Sequence, residues 1–79
     1  MATIMYGALW CADCNRAKFF FKDKNIPYEY HDIDTEAEAI TEVRKYNKNG
    51  LESIPVIVLE DGSVLIEPSY EDLSAAFHV

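Results

Sequence analysis

Cys11 and Cys14 are the only cysteines in the chain, two residues apart in the stretch Leu9-Trp10-Cys11-Ala12-Asp13-Cys14. Paired thiols at this spacing serve thiol–disulfide exchange, metal binding or a structural cross-link, and their surroundings decide among these. A disulfide across so short a loop ties no distant elements together. A structural zinc site takes about four ligands, and only His31 and His78 remain to join the pair, neither at metal spacing. No metal site within one chain is expected, and no role is assigned to either histidine. Exchange chemistry uses both thiols. Cys11 falls where a strand's loop turns into a helix, so free backbone N–H groups and the positive end of the helix dipole favour a thiolate there. Cys14 lies one turn further in, on the same side and nearer the core, protonated until it attacks a mixed disulfide formed at Cys11.

A second signal is Ser53-Ile54-Pro55-Val56. Proline cannot donate to a sheet ladder, so Pro55 belongs at the entrance of the strand that follows, with Ile54-Pro55 a candidate cis bond. That arrangement leaves the Ile54 N–H and C=O free to pair with an extended partner.

The elements that must position these residues follow one another with short punctuation. Residues 3–6 read as a buried strand ended by Gly7. Residues 12 to about 24 read as a helix, with Cys14, Ala17, Phe20 and Phe21 on its inner face and Lys18, Lys22 and Lys24 toward its C-terminal half. Pro27 stops it by biasing Ile26 away from helical geometry. Residues 28–33 alternate as a half-buried strand. Thr35 and Glu38 predict a capping box opening a second helix, with Ala39, Ile40, Val43 and Tyr46 or Asn47 inward and Gly50 at its end. Residues 56–59 and 64–67 form a hairpin across Asp61-Gly62. Ser69 caps a last helix, with Asp72 at the capping-box position and Tyr70, Leu73, Ala76 and Phe77 on its apolar side.

The order βαβαββα combines a parallel pair, joined by a right-handed crossover, with an antiparallel hairpin. It predicts an α/β domain with a mixed four-stranded sheet and three helices over both faces. Seventy-nine residues, 49% of them hydrophobic, suit one such domain over 1–79. The first ten residues carry no basic leader, and no apolar run approaches the ~20 residues that span a bilayer. A cytoplasmic, monomeric protein is the expectation. Fourteen Asp and Glu against seven Lys and Arg give a net charge of -7, which repels nucleic acid and anionic membrane surfaces.

Taken together, Trp10-Cys11-Ala12-Asp13-Cys14 after the first strand, Ser53-Ile54-Pro55 before the third, and the βαβαββα order resemble the glutaredoxin family of the thioredoxin-like fold. The similarity runs from Thr3 to about Phe77. The opening residues 3–14 and the closing stretch 61–73 are most similar to mycoredoxin-like and related bacterial glutaredoxin-like proteins. The resemblance implies a redox enzyme in which Cys11 is the nucleophilic thiol, Cys14 the resolving thiol and Ile54-Pro55 the family's cis-proline segment. It implies no bound cofactor. Disulfide-bearing proteins or low-molecular-weight thiol conjugates would be substrates. The reductant would be glutathione, another small thiol, or a thioredoxin reductase-like flavoprotein. Ser69, Glu71 and Asp72 resemble the region that meets the glutamyl end of glutathione, and Trp10, with Phe19, suits a docking surface.

Departures from the family pattern bear on the substrate. Asp13 puts a carboxylate beside the resolving thiol, which disfavours thiolate formation nearby. Glu52 stands where relatives place Arg or Gln for the glycine carboxylate of glutathione, and Pro68-Ser69 stands where they place Gly-Gly. An alternative from another class is a module that ligates an iron–sulfur cluster across a dimer through Cys11 and external thiols, without turnover. Cys14 argues against it, because cluster-carrying relatives mostly keep one cysteine in the motif.

Overall fold

The computed structural model describes residues 3–79. Strand β1 (Thr3–Gly7) leads through a turn into helix α1 (Ala12–Asp23), and β2 (Tyr28–Asp32) follows. Helix α2 (Ala37–Tyr46), a single 3₁₀ turn (Lys48–Gly50), β3 (Val56–Val58), β4 (Val64–Ile66) and α3 (Tyr70–Phe77) complete the chain. The strands form one mixed sheet in the order β2-β1-β3-β4. β1 runs parallel to β2, and β3 is antiparallel to both β1 and β4. The expected fold class is the one observed.

Register and strand alternation assign the two faces. Met5, paired with Tyr30 on one side and Ile57 on the other, points toward α1 and α3. There Phe20 meets Tyr70 and Phe77 at centroid distances of 5.1 and 5.9 Å, and Phe21 stacks on Tyr28 at 4.6 Å. Lys18 adds its ammonium 3.9 Å above the Tyr30 ring. Tyr6, paired with His31 and Val56, looks the other way, and its ring lies 6.3 Å from that of Tyr46 on α2. Helices therefore cover both faces. Val56 and Ile57 are fully buried on opposite sides of β3, which explains why this strand is apolar throughout.

Several boundaries differ from those expected, each for a local reason. Gly7 belongs to β1, because it pairs with Asp32. Helix α1 is closed before Pro27 acts: Asn25 takes φ 55°, the Asn25 N–H donates to Lys22 O and the Ile26 N–H to Phe21 O, the two bonds of a Schellman cap. The Thr35–Glu38 capping box does not form. Glu36 is the N-cap of α2 and makes no side-chain cap bond. The Asp32 carbonyl instead accepts the N–H groups of Thr35 and Glu36, while the Glu36 carboxylate accepts the Asp32 N–H at 3.2 Å. Helix α2 stops at Tyr46 rather than Gly50, because Asn47 turns extended and its amide donates back to Val43 O at 2.8 Å. Ile33 and Leu59 fall just outside β2 and β3, and Glu67, at φ 50°, leaves β4. The capping box at Ser69 and Asp72 forms as expected.

Candidate active site

Cys11 is the N-cap of α1, with extended backbone (φ -89°, ψ 119°), and its sulfur accepts the Cys14 N–H at 3.2 Å. A thiol thus fills the place usually held by a serine or aspartate oxygen, at the positive end of the helix. The turn beneath it is fastened by Cys11 N–H to Ala8 O at 3.3 Å and by the Asn15 amide to Leu9 O at 3.4 Å. Cys11 is half-buried and Cys14 fully buried, and both are free thiols. Burial first, and the hydrogen bond with Cys11 next, push the Cys14 thiol up to about 12. The Cys14 sulfur lies directly over Gly7, where an added Cβ would come within 2.8 Å of it. Glycine at the end of β1 is therefore what lets the second thiol reach its place.

From the other side of the sheet centre, Ile54 brings its carbonyl within 3.9 Å of the Cys11 sulfur. The Ile54–Pro55 peptide bond is cis, and both residues are buried. Asn47 anchors this segment from α2 by donating its amide to Ser53 O at 3.1 Å, and β4 anchors it through Glu67 N–H to Pro55 O at 3.0 Å.

The structure thus brings Cys11, Cys14 and Ile54 together. Trp10 adjoins them, 70% exposed, its indole N–H donating to the Asp34 carboxylate at 2.7 Å. Ser69 and Asp72 lie at the start of α3 and spend their side chains on each other's backbone, at 3.0 and 3.1 Å, and Glu71 is exposed. Phe19 is exposed on α1. The charges that distinguish this chain are matched: Asp13 pairs with Arg16 at 2.9 Å, and Glu52 with Arg44 at 2.6 Å. Gly7, Asn47 and Asp34 support the site and were not singled out from sequence. Their roles arise from contacts between segments: the sequence marks Gly7 only as the end of a strand and Asn47 only as a candidate for the inner face of the second helix.

A surface cavity lined by Ile26, Pro27, Leu59 and Phe77 among others lies at the opposite end of the sheet from the cysteines. Among the described residues no cluster of three or more His, Cys, Asp or Glu is placed to hold a metal ion, and no helix is long and apolar enough to cross a membrane.

This architecture is shared with known proteins. A crystal structure of a glutaredoxin from Archaeoglobus fulgidus superposes with a TM-score of 0.78 at 28% identity, covering 100% of this chain and 89% of the other. A crystal structure of a mutant thioredoxin-like protein also gives 0.78, at 27% identity over 98% and 95% of the two chains. In sequence, a provisionally named glutaredoxin of Mycobacterium tuberculosis is 31% identical over 74 residues, which is 94% of this chain and 87% of the relative. The profile of the family described as Glutaredoxin matches residues 3–64. A helix-capping thiol, a buried partner one turn behind it and a cis-proline segment facing it on this fold agree with that match, and the chain belongs to the glutaredoxin family.

Proposed function

We propose that the protein is a dithiol thiol–disulfide oxidoreductase. The Cys11 thiolate attacks one sulfur of a substrate disulfide, forms a mixed disulfide and releases the other half as a thiolate, which takes up a proton. Cys14 then gives up its proton and attacks the Cys11 sulfur. The second half leaves as a thiol, and the protein holds a Cys11–Cys14 disulfide. Two electrons and two protons have passed to the substrate. Two equivalents of a small thiol, glutathione included, or a thioredoxin reductase-like flavoprotein return them. The observation that carries this reading is the asymmetry of the pair: one half-buried thiol whose sulfur faces a backbone N–H, one fully buried thiol kept neutral.

Ile54 supports substrate binding, because its carbonyl already approaches the Cys11 sulfur and marks the side from which an extended partner would pair. Trp10 adds an apolar surface. Ser69, Glu71 and Asp72 are offered for the amino-acid end of a thiol tripeptide through the exposed Glu71 and the start of α3, since the other two side chains are engaged in capping. The Arg44–Glu52 pair removes much of the local repulsion that Glu52 would otherwise present to a thiol's carboxylate.

The test follows purified dithiol protein against a mixed disulfide, with a small thiol or a flavoprotein reductase as electron donor. Cys11→Ser is expected to abolish turnover. Cys14→Ser is expected to keep exchange on small-thiol mixed disulfides and to lose net reduction of protein disulfides, stalling as a trapped Cys11 conjugate visible by mass. No turnover with either donor, or activity retained by Cys11→Ser, rejects the proposal.

A further inference from the structure

Trp10 stands one residue before Cys11 with most of its ring in water, yet its N–H is held by Asp34 at 2.7 Å. Trp10 stays 70% exposed, so burial of apolar surface contributes little to holding it there. The partners are 24 residues apart, so local chain geometry does not impose it. Asp34 is itself fixed from behind. Its N–H donates to the Asp32 carboxylate at 2.7 Å, and the Tyr30 hydroxyl donates to the other Asp32 oxygen at 3.3 Å. The next residue back, Ile33, donates its N–H to Gly7 O at 2.9 Å. The turn after β2 is thus built off the same end of β1 that carries the cysteine loop.

We propose that Asp34 is a positioning residue for disulfide exchange: by accepting the Trp10 N–H it holds the indole as a fixed apolar wall beside Cys11, against which a peptide disulfide with a bulky apolar neighbour packs. This rests on the oxidoreductase reading above. An untethered indole rotates about two side-chain bonds, and a binding partner must stop that rotation at a cost in affinity. Asp34 orders the ring before the partner arrives, so that cost is absent from the encounter. The substrate class follows from the geometry: only a ligand large enough to touch the ring benefits, so peptide and protein disulfides gain over small symmetrical ones.

Trp10 is the only tryptophan, so its fluorescence reports this ring alone. Asp34→Ala is expected to lower its anisotropy and to raise KM for a disulfide-linked peptide with an aromatic residue beside its cysteine. The rise is about fivefold, as the loss of one ordered side chain implies, with kcat within about twofold. Asp34→Asn keeps an oxygen acceptor and is expected to restore both readings. In a Trp10→Phe background, which keeps a ring but lacks the N–H donor, Asp34→Ala is expected to raise KM no further. Wild-type anisotropy and KM in Asp34→Ala, or an equal rise in the Trp10→Phe background, overturns the proposal while leaving the oxidoreductase reading intact. A wild-type chain that exchanges with no disulfide overturns both.

Discussion

At Cys14 the proton is held for a physical reason, and that reason has a consequence for stability. The thiol is pushed from an ordinary 9.0 to about 12, by burial first and the bond with Cys11 second. In the unfolded chain the same thiol ionises near its ordinary value. The folded state therefore binds this proton more tightly, so the stability it adds is complete below about pH 9 and is lost as pH rises toward 12. Under reducing conditions the urea midpoint is expected to fall between pH 9 and 11, and Cys14→Ala to fall less steeply over that range. Tyr30, pushed from 10.0 to about 12 chiefly by burial, adds a decline from about pH 10 in both proteins. Parallel curves for the two would show that Cys14 holds no such proton. The pair itself was legible in the sequence, since a helix start and an inner helical face place an attacker and a sheltered resolver. The support was not. The clearance over Gly7, the Asn47 bond to Ser53 and the Asp34 bond to Trp10 depend on how separate segments meet, and no spacing rule encodes them.

The two capping boxes show at the level of elements where short-range patterns succeed and fail. Ser69 and Asp72 face no competing acceptor and form theirs. Thr35 and Glu38 match the same pattern, but Asp32 at the end of β2 captures the Thr35 and Glu36 N–H groups first and displaces the helix start. The strand and the helix are then joined by His31, whose ring nitrogens lie 2.6 Å from Glu29 and 2.7 Å from Glu36, with the Tyr6 ring stacked on it. Its bonds to Glu36, then Glu29, raise the His31 pKa above 6.5, and the bond to His31 is the main cause that lowers Glu36 below 4.5. The signs define a window. The His31 contribution is complete below about pH 6.5 and is lost as pH rises through the folded value; the Glu36 contribution is present above about pH 4.5 and is lost as pH falls through its folded value. His31→Gln is expected to be destabilised relative to wild type most strongly near pH 5 to 6, with the difference fading above neutrality. His31 is partly exposed and both of its carboxylate partners are exposed, so the effect is modest and weakens with salt. Urea titrations of both proteins across that range check it, and a pH-independent difference would assign His31 a packing role only.

For the whole molecule, the relevant property is the field of a chain with net charge -7. Asp13 and Glu52 look hostile to an anionic thiol when read from the sequence, yet each has its arginine partner beside it, at 2.9 and 2.6 Å. The local obstacle is thus smaller than composition suggested, because composition cannot show which charges meet. What remains is long-range repulsion from the many other carboxylates, and long-range terms are the ones salt removes. Raising ionic strength from about 0.01 to about 0.1 M shortens the screening length from about 30 to about 10 Å. For two peptide disulfides alike except in the sign of their flanking charges, kcat/KM at low salt is expected to favour the cationic one by several-fold. The preference is expected to shrink with salt, as the cationic substrate slows and the anionic one speeds up. Glutathione mixed disulfides carry net negative charge and belong with the second group, so their exchange rate is expected to rise with salt. A preference that salt leaves unchanged would move the selection from the overall field to contacts at Cys11, and Arg44→Gln, which frees Glu52, would then be the variant that weakens the anionic substrate.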